Sequence, residues 1–186
     1  NGGGDIAQGK AHPAEYYVMP PLDSTQVRMG DIRIRHVDGS VEYLVVLWPT
    51  CDMVEGGERQ AKTDRVLCIQ AGLANHTPEL SAVLEPEHPS NNARKQAVAF
   101  LKNNRSGNSE RYHYLPGLCN LPDLLLDFQK VVVLPFAECR GLTCEASIAS
   151  PFSESISSRF LHYIGRIGTP DIDTDFVINR LRGQRQ

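Results

Sequence analysis

Long apolar runs are missing from this 186-residue chain. None approaches the roughly 20 residues of a membrane span, and the opening NGGGDIAQGK lacks the basic-then-apolar layout of a signal peptide. Charge of one sign is not in excess either. With 19 basic and 22 acidic residues the net charge is −3, which argues against a surface devoted to nucleic acid or anionic lipid and leaves only local basic patches. The five cysteines, Cys51, Cys68, Cys119, Cys139 and Cys144, are odd in number and include no Cys-x-x-Cys pair, so neither a disulfide framework nor a zinc ribbon is indicated. A reducing, cytoplasmic setting is the expectation that follows. His36, His76, His88 and His113 show no His-x-x-x-His spacing, so the sequence implies no metal and no cofactor.

What the chain does have is one short, dense apolar stretch, Leu44-Val45-Val46-Leu47-Trp48, too short for a buried helix and rich in β-branched and aromatic residues. It reads as a central strand covered on both faces. Pro49 cannot donate to a sheet ladder and closes the strand, which sets Thr50, Cys51 and Asp52 on the rim of the sheet. Upstream, Met29, Ile32 and Ile34 sit among Asp31, Arg33 and Arg35 in the pattern of a half-buried strand. Asp38-Gly39 supplies the positive φ angles of a type I′ turn, so residues 32–37 and 41–48 should form an antiparallel hairpin. A third strand over 65–71 completes a meander or a small barrel.

Residues 73–117 change in texture. His76, Pro78, Pro86, His88 and Pro89 interrupt them, Ser90 or Asn91 caps a helix over about 92–103, and 103–110 is polar enough for a flexible tip. They read as an insertion. Strand signals return with alternating Tyr112 and Tyr114, ended by Pro116, and with the apolar run 124–136, whose exposed side is marked by Asp127 and Gln129. From Ser150 the period lengthens. Phe152, Ile156, Phe160, Tyr163 and Ile164 form a helical stripe with Ser150 as N-cap and Pro151 at the first helical position, and one more short helix is expected over 174–181. The expected organisation is an extended arm over 1–28, a barrel domain over 29–170 with a helical insertion at about 73–117, and a tail over 171–186.

The order Gly30-Asp31-Ile32, a hairpin into Leu44-Val45-Val46, a third strand, an interposed loop, then LDFQKVVVLP and a C-terminal helix resembles the PemK/Kid-type plasmid-maintenance growth inhibitors over about residues 29–165. The resemblance implies an α+β fold: a small antiparallel SH3-like β-barrel with a helical insertion and a C-terminal helix. It also implies a dimer and, for many members, an RNA-cleaving toxin of a bacterial toxin–antitoxin system. The family usually carries an arginine just before the LVV strand, where it steadies charge on the scissile phosphate, and a Ser or Thr just after it. Here Val41, Glu42 and Tyr43 precede the strand and Leu47 follows, and a carboxylate at that place repels a phosphate. The expectation leans away from catalysis, toward an altered barrel that binds RNA or a protein partner in a toxin, defence or mobile-element setting. The alternatives are an endoribonuclease with a rearranged site drawn from Glu42, Thr50, Asp52 and His113, and a cysteine-dependent hydrolase centred on Cys51.

Thr50, Cys51 and Asp52 offer a hydroxyl, a thiol and a carboxylate, and Cys51 becomes a nucleophile if His36 or His113 approaches it. The plainer reading is a buried thiol beside a turn-capping aspartate. Arg94, Lys95, Lys102, Arg105 and Arg111 form a positive island next to Tyr112, His113 and Tyr114, the mixture of cations and rings that single-stranded RNA binding uses. Its plainer reading is a solvated helix face beside a core strand. Arg159 and Arg166, seven apart on the last long helix, are candidate phosphate contacts or solvated side chains. Partners therefore narrow to single-stranded RNA or a protein, a second copy of the chain included, and no membrane.

Overall fold

The computed structural model describes residues 11–21, 23–103, 110–165 and 171–184. Seven strands, β1 (Tyr17–Val18), β2 (Asp31–Val37), β3 (Ser40–Val46), β4 (Arg65–Leu73), β5 (Tyr112–Leu115), β6 (Leu124–Pro135) and β7 (Thr143–Ile148), form one sheet in the order β1-β7-β2-β3-β4-β6-β5. Every neighbouring pair is antiparallel. The sheet curls into a half-barrel. It carries α1 (Thr50–Met53), α2 (Pro78–Leu84), α3 (Asn91–Leu101), α4 (Phe136–Gly141), α5 (Phe152–Ile164) and α6 (Thr174–Gly183), which makes the chain a mixed α+β fold. Among the described residues no helix is long and apolar enough to cross a membrane.

The β2–β3 hairpin forms as its dipeptide dictates. Asp38 and Gly39 take φ angles of 48° and 77°, and Val37 pairs with Ser40 across a two-residue turn. Strand β3 is the middle strand of the seven. Its alternation sends Leu44 and Val46 to one face, where they meet Val66, Cys68, Leu134, Phe136 and Cys139. Val45 and Leu47 go to the other, against Ile32, Ile69, Phe128 and the α5 side chains Ile156 and Phe160. Burying each such Val or Leu contributes about 1.5–3 kcal/mol, so a run with no polar position stabilises only a strand packed on both sides. A bulge between Ile69 and Ala71, opposite β6, shifts the register; bulges add bend and twist, which is how a long β6 follows the curl.

Several elements differ from the expectation. The third strand runs on to Leu73, and the sheet gains β7 and β1, which the sequence reading left unassigned. Pro78 starts α2 rather than breaking the segment, because the first helical position has no amide to lose. Ser90 caps α3 by accepting from the Ala93 amide at 3.1 Å, as expected. Helix α5 begins at Phe152 with Pro151 ahead of it, and no side chain caps it, so the Ser150 cap is not formed. Asp31, Arg33 and Asp127, placed outward by alternation, are all buried. Asn103, expected in a flexible tip, is anchored by its side chain; residues 104–109 of that tip and the glycine-rich start, residues 1–10, lie outside the described residues.

Candidate functional site

The rim of β3 is built as the sequence suggests and is then put to structural use. After Pro49, α1 presents Thr50, whose hydroxyl accepts from the Met29 amide at 3.0 Å and so holds the segment leading into β2. Asp52 takes a weak contact from the Cys51 thiol at 3.7 Å, and its carbonyl accepts from the Lys62 amide at 2.8 Å. Arg59 donates to the Cys51 carbonyl at 2.7 Å. Cys51 itself is exposed, not buried.

Neither His113 nor His36, the two candidate partners, reaches this thiol. His113 pairs with Leu126, Leu126 with Ala71 and Ala71 with Tyr43, so His113 shares a row with the middle of β3 and lies three strands across the sheet. Tyr43 precedes Cys51 by eight residues, and three strand spacings of about 4.8 Å set His113 on the order of 14 Å to the side. His36 pairs with Val41 at the hairpin tip, the end of β3 farthest from Cys51. A cysteine nucleophile of the expected kind needs an imidazole in hydrogen-bond reach, and neither candidate supplies one. The expected grouping of Thr50, Cys51 and Asp52 with His113 is therefore not assembled.

His113 has a different task. It is buried, and burial, followed by the charge of Arg159, pushes its ring down to about 3, which keeps it neutral. Its Nε2 lies 3.1 Å from the Asn103 amide nitrogen. That carboxamide also donates to the Tyr114 carbonyl at 2.7 Å and accepts from the Tyr114 amide at 2.8 Å. Arg159 donates to the carbonyls of Asn103 and Tyr112. Asn103, His113 and Arg159 thus latch the end of the insertion to β5 and α5. Arg159, offered by spacing as a phosphate contact, is turned inward and committed; Arg166 lies outside the described residues.

The positive island is also partly spent. Arg111 makes two bonds to Asp127, at 2.6 and 2.5 Å, and its guanidinium stands 4.9 Å over the Tyr112 ring. Burial raises the Asp127 carboxyl, but the Arg111 bond and the Gln129 amide outweigh this and hold it below the usual range. Tyr114 donates to Asp123 at 2.5 Å, and its phenol is pushed up by burial and by that carboxylate. Arg94, Lys95 and Lys102 remain exposed on and after α3, while Arg105 lies outside the described residues. Glu79, Glu85 and Glu87, on and after α2, offset them.

Where the resemblance expects an arginine, Glu42 is held by Arg35 at 2.7 Å and by Gln70 at 3.1 Å. Arg35 also faces Glu138 at 3.6 Å, so this cation is answered by two carboxylates. The Gly30-Asp31 pair has a structural reason. Gly30 takes a φ of +89°, and a Cβ there would meet the Ser153 side chain at 2.9 Å and the Ile148 carbonyl at 3.0 Å. Asp31 accepts from the Arg28 amide at 3.0 Å, the Ser147 hydroxyl at 2.7 Å and Arg33 at 2.7 Å. Arg33, wholly buried, donates in turn to the carbonyls of Ser24, Gln26 and Leu142.

Two concavities flank these features. One, of about 670 Å³, lies over that network and is lined by Ser24, Thr25, Gln26 and Thr143, with Arg140 and Glu55 bonded across it at 2.5 Å. The other, of about 560 Å³, is an apolar groove between α2 and α3. Sequence reasoning missed it because α2 was not foreseen, although Leu80, Val83 and Leu84 carry the helical spacing. Among the described residues no group of three or more His, Cys, Asp or Glu side chains is placed to hold a metal. Comparison with protein-family models and with curated proteins finds no match to this chain.

Proposed function

We propose that the chain is a PemK/Kid-like, SH3-type barrel without cleavage chemistry that works as a protein-binding module in a bacterial toxin–antitoxin or mobile-element setting. The family part of this reading is supported by the β2-β3-β4 meander, the Gly30-Asp31 turn and the passage from β6 through a short link toward α5. Loss of cleavage is supported by the neutralised Glu42–Arg35 pair and by the distance between Cys51 and either histidine. The observation that carries protein binding over RNA binding is the α2–α3 groove: its lining is predominantly apolar, and the cations beside it are matched by carboxylates.

Labelled single-stranded RNA incubated with the protein, with and without a chelator and over a range of salt, tests the reading. Intact RNA and no salt-sensitive complex are expected. Cleavage, or binding that falls steeply with salt and is lost in the Arg94→Glu, Lys95→Glu double variant, would replace it with the RNA reading.

A further inference from the structure

Strand β6 is flanked on both sides over only part of its length. Residues 124–127 pair with β5, and the Phe128 amide donates to the Arg111 carbonyl, just ahead of β5, at 2.9 Å. Among the described residues, 131–135 pair with β4 alone. Two bonds set the phase of that ladder: the Leu47 amide donates to the Leu67 carbonyl at 3.0 Å, and the Phe136 amide to the Asp64 carbonyl at 2.9 Å. Successive residues of an antiparallel strand turn their backbone groups to opposite sides. Leu67 therefore faces β3, Val66 and Cys68 face β6, and Leu134 and Val132 face back toward them. Val131, Val133 and Pro135 are left pointing away from the sheet. Their carbonyls and the two valine amides meet no partner among the described residues.

The open strip is bounded at both ends and apolar between them. Pro135 has no amide to offer, and the Gln129 amide is already held by the Asp127 side chain at 3.1 Å. Val131 is 43% exposed and Val133 49%. They share a sheet face with Ile69 and Leu67, their partners on β4. Donors and acceptors alternating along one line fit an extended backbone, because a helix has spent its own groups internally. Five residues span about 17 Å and an added strand lies about 4.8 Å away. A strip that narrow is far short of the about 800 Å² that each partner buries in a stable complex of two folded proteins, so it suits a peptide segment over a second folded copy. The charges beside it are Lys130, Arg65 and Asp64, since Asp127, Glu138 and Glu110 already meet Arg111, Arg35 and His162. Their balance is positive and favours an acidic flank on the peptide.

We propose that the 131–135 edge of β6 is a strand-addition site for an extended peptide segment of another protein, with β-branched residues at alternate positions and an acidic residue beside them. This rests on the protein-binding reading above and places the peptide away from the α2–α3 groove. The probe is a fluorescein-labelled peptide, Glu-Val-Thr-Val-Thr-Glu, titrated to millimolar concentration, with the same peptide N-methylated at both valines as its control. The first should bind and the second should bind at least tenfold more weakly. Val133→Pro removes an outward amide without breaking a bond to β4 and should weaken binding at least tenfold, while Val98→Asp, in the groove, should leave it unchanged. Amide hydrogen exchange of the unaltered protein gives a second readout. Val131 and Val133 should exchange fast in the free protein and slow down with peptide, and Val132 and Leu134 should be slow throughout. No binding, equal binding of the N-methylated peptide, or two valine amides that stay fast with peptide bound would overturn the site. Slow exchange of those two amides in the free protein would also overturn it, and a doubled mass by light scattering would then give the edge to a second copy. Peptide binding lost in Val98→Asp but kept in Val133→Pro would overturn this site and leave the protein-binding reading standing. RNA binding that depends on Arg94 and Lys95 would instead overturn that wider reading, whatever the peptide does.

Discussion

Arg33→Met removes a wholly buried guanidinium while keeping most of its volume. Asp31 then retains the Arg28 amide at 3.0 Å and the Ser147 hydroxyl at 2.7 Å but loses the cation that stood 2.7 Å away. Breaking a buried pair by removing one member costs about 3–5 kcal/mol, chiefly because a charge is left uncompensated. The Ser24, Gln26 and Leu142 carbonyls lose a donor as well. None of those residues is buried, so their carbonyls can turn to water, and the total stays near that range instead of adding a full desolvation penalty of about 1–3 kcal/mol for each. Asp31→Asn together with Arg33→Met removes both charges, and the double variant should recover about 1–3 kcal/mol relative to the sum of the single changes. Urea unfolding followed by fluorescence of the single tryptophan, Trp48, which packs against one of the two core clusters, reads each value. A cost for Arg33→Met below about 1 kcal/mol, the worth of a surface pair, would refute the account of this network, and so would strict additivity in the double variant.

His113 should titrate near 3 instead of near its ordinary 6.5. Between those values the unfolded chain binds the proton and the folded one does not, so the stabilisation is complete above the upper value. It is lost as the pH falls toward the lower one, at no more than about 1.4 kcal/mol per pH unit. Following the His113 ring by NMR checks this, and a ring that takes its proton near 6.5 would show that the latch with Asn103 is open in solution. Gly30→Ala should destabilise the chain by more than about 1 kcal/mol, since the left-handed φ of +89° and a 2.9 Å approach to Ser153 add to each other; an unchanged urea midpoint would be the contrary result.

How much of this was legible depended on how local the cause was. Asp38-Gly39 fixes its own turn, the apolar 44–48 run demands burial on both faces, and Ser90 caps α3 from one residue away from its first turn; each was readable from a few neighbouring residues. Strand β7 was not, because Cys144, Ala146 and Ile148 make a weak alternation and its partner β2 lies over a hundred residues upstream. Burial of Arg33 and Asp31 was hidden for the same reason: alternation assigns charged residues outward, and only carbonyls brought in from Ser24 and Leu142 reverse that rule. Asp127 went inward because Arg111, sixteen residues earlier, arrives to meet it. The separation of His113 from Cys51 follows from three successive strand registers, and composition and spacing hold no trace of those.

An open sheet offers two lateral rows of unpaired backbone groups to any passing strand, and this one curtails both without completing a barrel. At one border β1 is only two residues long. At the other, three outward groups of β5 are already taken: the Tyr114 amide and carbonyl by the Asn103 carboxamide, and the Tyr112 carbonyl by Arg159. Side chains there stand in for an eighth strand, which guards against strand addition and edge-to-edge aggregation. A strand arriving at the β5 border would find three of its outward backbone groups already bonded, so recognition there turns on side chains rather than on a free ladder.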